Sequence, residues 1–144
     1  MSRSQRDKGR QAELEVRRIY EAHGFVVRGL EGTGDHLAVG HGLTIHSEVK
    51  RQEVLRLPLW TRQALAEAPD GTLPIVAYRR NREEWQALVL LPEVGARFAR
   101  RGMAAGVHYS LHALNEEWWA RLSLDWLLGV LSGGWKAAQE REAS

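Results

Sequence analysis

The chain has 144 residues, 44% of them hydrophobic and 26% charged, with a formal net charge of +2 and no cysteine. That length fits one domain with a sizeable core, and the lack of cysteine excludes disulfides and thiolate metal sites, in keeping with a reducing compartment. No apolar run approaches the roughly 18 residues of a membrane helix, and the polar, basic opening has no signal-peptide character, so a cytoplasmic protein is expected.

The charge is unevenly spread. Residues 111–144 hold 3 Lys+Arg against 5 Asp+Glu, which leaves 17 against 13 in residues 1–110. Only Lys8, Lys50 and Lys136 are lysines. Arginine's planar fork suits phosphate recognition, although arginine richness also follows from a GC-rich genome or a hot habitat.

Residues 1–9 carry Arg3, Arg6 and Lys8 with almost nothing to bury, and read as a mobile basic arm, either a frayed end or a grip on phosphates. From about Arg10 to His23, Ala12, Val16, Ile19 and Tyr20 recur at helical spacing, and Gly24 stops the helix. Glu13 sits at the margin of that stripe. Phe25 to Val27 predicts a short strand ending at Arg28. The loop from Gly29 to Gly34 is a flexible connection or a place where backbone N–H groups approach a phosphate, with Arg28 and Thr33 as its candidate contacts.

Asp35 to Lys50, DHLAVGHGLTIHSEVK, predicts a hairpin that turns at Gly40-His41-Gly42. Strand alternation projects Glu48 and Lys50 from one face, about 6.6 Å apart, and the reversal brings Asp35 to the same edge. Converging carboxylates repel unless a cation lies between them or one keeps its proton. Oxygen-only ligands favour Mg²⁺, and the adjacent ammonium can orient water or stabilise a pentavalent phosphate. Of the nearby histidines, His36 points away from Asp35, His41 is in the turn and only His46 shares the Glu48 face. None has zinc-site spacing, so metal ligation by His46 stands as the lesser reading.

Arg51 extends the basic edge. A helix is predicted from Pro58 to about Ala68, with Trp60, Ala64 and Leu65 inward and Arg62 and Gln63 outward. Leu73–Tyr78 and Trp85–Leu91 are two further strands, joined by a charged turn in which Asn81 takes the reversal. Pro92 opens a short helical segment to about Arg101. From Leu111, the recurrence of Leu114, Trp118, Leu122, Trp126 and Val130 every four residues predicts a C-terminal helix with a broad apolar face, covered by its own domain or by a second copy. The expected architecture is α/β: a mixed sheet flanked by helices over residues 10–101, and a C-terminal helical extension with its tail over 102–144.

In order and spacing, the run Lys8-Gly9-Arg10-Gln11-Ala12-Glu13, then Gly24-Phe25, Arg28, Asp35 and Glu48-Val49-Lys50, resembles the PD-(D/E)XK nucleases, and among them the archaeal-type Holliday junction resolvases. The resemblance runs from Lys8 to Arg51 and more loosely to Phe98. It implies a restriction-endonuclease-like core and Mg²⁺-dependent hydrolysis of branched DNA, above all four-way junctions, with Mn²⁺ able to substitute and no small-molecule cofactor. It further implies that Glu13, Asp35, Glu48 and the Val49 carbonyl hold metal and that Lys50 acts on the attacking water. Arg3, Arg6, Lys8, Arg10, Arg28, Thr33, Arg51 and Arg62 would meet DNA phosphates. A homodimer would offer one site to each of two symmetric strands, in the nucleoid or, for a phage-encoded protein, in the host cytoplasm. Those resolvases often carry an arginine directly after the helix glutamate, where this chain has Leu14. The alternatives are a repair or restriction-type nuclease on the same core and a non-catalytic nucleic-acid-binding module.

Overall fold

A computed structural model describes residues 3–30, 35–94 and 109–133. In chain order the elements are α1 (Arg3–Ala22), β1 (Val26–Leu30), β2 (Asp35–Gly40), β3 (Leu43–Arg51), α2 (Leu57–Glu67), β4 (Leu73–Arg79), β5 (Gln86–Leu90), β6 (Ser110–Leu114), β7 (Glu117–Ser123) and α3 (Leu124–Leu131). Residues 91–94 add a helical turn. The strands form one open seven-stranded sheet in the order β1-β2-β3-β4-β5-β7-β6. β3 and β4 pair in parallel, joined by α2 as the crossover, and every other pairing is antiparallel. The protein is therefore α/β, with a mixed sheet flanked by helices.

Strand alternation gives the sheet two apolar faces. On one, Ala12, Val16 and Tyr20 of α1 and Leu124, Leu127 and Leu128 of α3 pack on Ala38, Ile45, Ile75, Ala77, Ala87, Val89 and Leu122. On the other, Trp60 and Ala64 of α2 cover Val76, Tyr78, Leu88 and Trp119. β4 is buried on both faces along nearly its whole length, as the continuous run LPIVAY requires of a central strand. Pro74 is tolerated there because β5 pairs only from Ile75 onward.

Two close approaches fix the hairpin against α1. Gly24 takes a φ of +84° and ends the helix, and a Cβ on Gly40 would come within 3.1 Å of the Gly24 carbonyl and of the Phe25 ring. At the hairpin's own tip, His41 and Gly42 both have positive φ, 53° and 75°, as a two-residue turn matching the strand twist demands.

Three expectations need correction. The first helix begins at Arg3 instead of Arg10, so Arg3, Arg6 and Lys8 are helical and do not form a separate arm; Gln, Arg and Lys are good helix formers and no breaker precedes Gly24 except Gly9. The outward face of α2 is also different: Thr61 is buried, Leu65 is exposed, and Gln63 carries a buried Oε1. Most of all, the C-terminal helix expected from Leu111 is a β6–β7 hairpin followed by a helix only from Leu124 to Leu131. A recurrence of four residues is a multiple of the strand period as well as close to the helical one, so Trp118, Ala120 and Leu122 share a sheet face. The turn at Asn115-Glu116, with φ of 53° and 64°, sets the hairpin, and the Ser123 hydroxyl accepts the Trp126 N–H to start the helix. Beyond residue 94, the helix expected to reach Arg101 lies outside the described residues.

Candidate metal centre

The centre is built from the hairpin that the sequence singled out. Asp35 on β2 stands directly across from Glu48 on β3, and Leu37 across from His46. Alternation then puts His46, Glu48 and Lys50 on the face covered by α2. One donor atom from each of Asp35, His46 and Glu48 lies within 4.8 Å of the other two. The three residues are only 4%, 2% and 3% exposed. His46 Nε2 is 3.7 Å from Asp35 Oδ2, and Lys50 Nζ is 3.8 Å from Glu48 Oε2.

Glu67, the last residue of α2, comes to the same place from above and hydrogen-bonds with both Glu48 and Asp35. The sequence does not single it out, because an acid near the end of an amphipathic helix reads as a solvated face. The available signal is electrostatic: a helix C-terminus is its negative end, so a carboxylate there is unfavourable unless something positive faces it.

Burial pushes the Glu48 carboxyl up to about 9, reinforced by its hydrogen bond with Glu67 and by the Asp35 charge. Asp35 is also raised by burial, partly offset by its hydrogen bond with Glu48 and by His46. Glu67 moves the other way, held down mainly by the hydrogen bond with Glu48. The group still has too few donors. Glu48 Oε1 and His46 Nδ1 are buried without a hydrogen-bond partner, which costs about 1–3 kcal/mol per orphaned group and more for a charged one. A divalent cation would give the carboxylate oxygens a partner, and one donor atom from each of Asp35, His46 and Glu48 lies close enough to the others to fit one. The donor set is not the oxygen-only one expected, because the imidazole of His46 belongs to it.

The remaining expected residues fall in three places. Glu13 is not part of the Asp35–His46–Glu48 cluster: α1 packs on the opposite face of the sheet, and Glu13 lines a cleft of about 520 Å³ with Lys8, Val49, Lys50, Arg51 and Gln52. Lys50 borders both the cleft and the cluster. The Val49 side chain packs into the larger core. Arg28 is exposed on the face of the cluster, in the cross-strand row Arg28, Leu37, His46. Arg3, Arg6 and Arg10 are exposed along the first half of α1, and Arg62 is exposed on α2. Arg51 donates to Asn81 Oδ1 at 3.3 Å. Thr33 lies outside the described residues. His36 is buried on the α1 side, away from the cluster, as alternation requires.

No helix among the described residues is long and apolar enough to cross a membrane. In comparison with known proteins, no family model matches the chain, and no curated protein or solved structure matches it significantly.

Proposed function

We propose that the protein is a divalent-metal-dependent, structure-selective DNA endonuclease on a restriction-endonuclease-like core, of the archaeal-type Holliday junction resolvase kind within the PD-(D/E)XK nucleases. One observation carries this reading: Asp35 and Glu48 face each other across the β2–β3 hairpin, buried, with the Lys50 ammonium 3.8 Å from Glu48 on the same side. Paired acids and a lysine at this spacing are what in-line phosphodiester hydrolysis uses.

When bound, a divalent cation supplies charge for the phosphate oxygens and acidifies water near neutral pH. The chain does the rest. Asp35 and Glu48 would hold the ion, and α2 over the cluster keeps bulk water from it. Lys50 orients the attacking water and offsets the negative charge that builds on the phosphate. Glu13, across the cleft that Lys50 borders, anchors waters on the far side of that ammonium. The Val49 carbonyl, between Glu48 and Lys50 on β3, would be a further ligand.

DNA is held through phosphates more than base edges, which suits recognition by shape. Arg28 supplies one contact beside the cluster, while Arg3, Arg6, Lys8 and Arg10 form a basic track along α1. Arg51 at the end of β3 and Arg62 on α2 are further candidate contacts, and the sequence adds Thr33. A twofold homodimer would present two such sites to the two symmetric strands of a four-way junction.

Supplying the purified protein with four-way junction, Y-shaped and linear duplex DNA in Mg²⁺ and in Mn²⁺ tests the reading. Paired symmetric cuts in the junction are expected. Equal cutting of linear duplex would replace resolution by a repair or restriction-type activity, and no cutting with binding retained would leave a non-catalytic module.

A further inference from the structure

The element of the cluster that the hairpin acids do not explain is His46. Its ring is 2% exposed and its Nδ1 has no hydrogen-bond partner. Its Nε2 stands 3.7 Å from Asp35 Oδ2, beyond hydrogen-bond reach. A buried imidazole whose Nδ1 has no hydrogen-bond partner, and whose Nε2 stands beyond hydrogen-bond reach of the facing carboxylate, is costly as a packing element. The same spacing suits two donors that each sit about 2.0–2.2 Å from one shared ion. Strand alternation leaves the ring no other direction, because His46 and Glu48 are two residues apart on β3 and Leu37 fills the place opposite His46.

We infer that His46 is a cation ligand and that it sets the choice of cation, so that the centre takes a first-row transition ion such as Mn²⁺ in preference to Mg²⁺. This rests on reading the cluster as a cation site. Mg²⁺ is a hard ion that keeps oxygen ligands and gives up water reluctantly, whereas imidazole nitrogen suits the transition series and gains affinity along it. Replacing one carboxylate oxygen of an acidic site by a neutral nitrogen also removes negative charge, which weakens the purely electrostatic attraction on which Mg²⁺ depends. Glu67, hydrogen-bonded to the two hairpin acids from the end of α2, restores part of that charge without changing the nitrogen donor.

Calorimetric titration of the metal-free full chain with MnCl₂ and MgCl₂, together with pulsed EPR of the Mn²⁺-loaded protein, tests this without recourse to cleavage. Mn²⁺ is expected to bind at least about tenfold more tightly than Mg²⁺, with a ¹⁴N coupling from directly bound imidazole. Loss even of a ligand's outer partner costs about 10–100-fold in metal affinity, so His46→Asn should lower Mn²⁺ affinity by at least about tenfold while leaving Mg²⁺ binding nearly unchanged. Asp35→Asn should lower both. Absence of the nitrogen coupling in the unaltered protein, or an unchanged Mn²⁺/Mg²⁺ ratio in a His46→Asn protein with native circular dichroism, overturns the inference. Equal affinity for the two ions defeats His46 as selector and leaves the endonuclease reading standing. Failure to bind either ion defeats both.

Discussion

Asp35 and Glu48 occupy directly opposed positions on antiparallel strands, on the same side of the sheet and each at least 96% buried. Two carboxylates so placed repel when both are charged, which is part of why Glu48 keeps its proton, and a third acid, Glu67, is added from α2. Such an arrangement is costly to the fold and suits the cation site proposed above.

Asp35→Asn and Lys50→Ala should each reduce junction cleavage by about 10²–10³-fold, the usual loss when one electrostatic group of a hydrolytic site is removed. Junction affinity in a gel-shift titration should stay close to that of the unaltered protein, since the proposed grip on phosphates lies with arginines elsewhere. A parallel fall in binding and cleavage would point instead to a damaged fold.

The metal-free protein should become less stable as pH rises from about 5 to about 9. Glu48 has its pKa raised to about 9 in the fold, so between the ordinary carboxylic range and that value the native state binds the extra proton. Each such group then lowers stability by up to about 1.4 kcal/mol per pH unit. Asp35, also raised, acts with the same sign. Glu67 is lowered, so its contribution is lost only as pH falls below the ordinary range and does not cancel the slope at neutrality. Glu48→Gln should flatten the slope and raise the melting temperature of the metal-free protein at pH 8. Urea and thermal melts across pH measure both.

A divalent cation should reverse that loss. At a concentration of 100 times its Kd it adds about 2.7 kcal/mol, and the gain in melting temperature should be greater at pH 8 than at pH 6, because binding then displaces the Glu48 proton at a smaller cost. Chelation with EDTA should return the protein to its metal-free curve, and Asp35→Asn should abolish the response.

Neutralising Arg3, Arg6, Lys8 and Arg10 together should weaken junction binding and reduce the slope of log affinity against log salt by about 0.9 for each phosphate that is no longer neutralised. Affinity measured from 50 to 200 mM salt gives that slope, and an unchanged value would remove the first half of α1 from the DNA surface.

Asn115→Ala should cost about 1–3 kcal/mol in equilibrium unfolding, because it removes two hydrogen bonds and forces alanine to a φ of 53°. The Asn115 Nδ2 donates to the Pro58 carbonyl and to Thr61 Oγ1, both at 2.8 Å. Asn115→Gly, which accepts the backbone conformation but not the bonds, should cost less than the alanine.

The hairpin and its alternation are legible residue by residue: Asp35, Glu48 and Lys50 fall on one side because a strand has period two, and nothing tertiary can change that. His46 is legible as sharing the face but not as part of the cluster, because that depends on Leu37 and α2 closing over it. Glu67 cannot be read from spacing at all, since its approach depends on the parallel crossover between β3 and β4. Glu13 lies outside the cluster for the converse reason: a helix next in sequence need not be next in space on the same side, and α1 packs behind the sheet, so Glu13 meets Lys50 only across the shared cleft. The β6–β7 hairpin is hidden by a tryptophan and leucine pattern that serves either period, and Asn115-Glu116 is the punctuation that separates the two.

That hairpin also decides where the folding unit ends. Trp119 of β7 fills the layer beneath α2 beside Trp60 and Tyr78, and the Asn115 amide pins the first turn of the same helix. A fragment stopped near residue 101 would take Trp119 from the floor of α2 and remove the clasp at its first turn. The segment that reads as an appendage is thus the keel of the half that carries the acids.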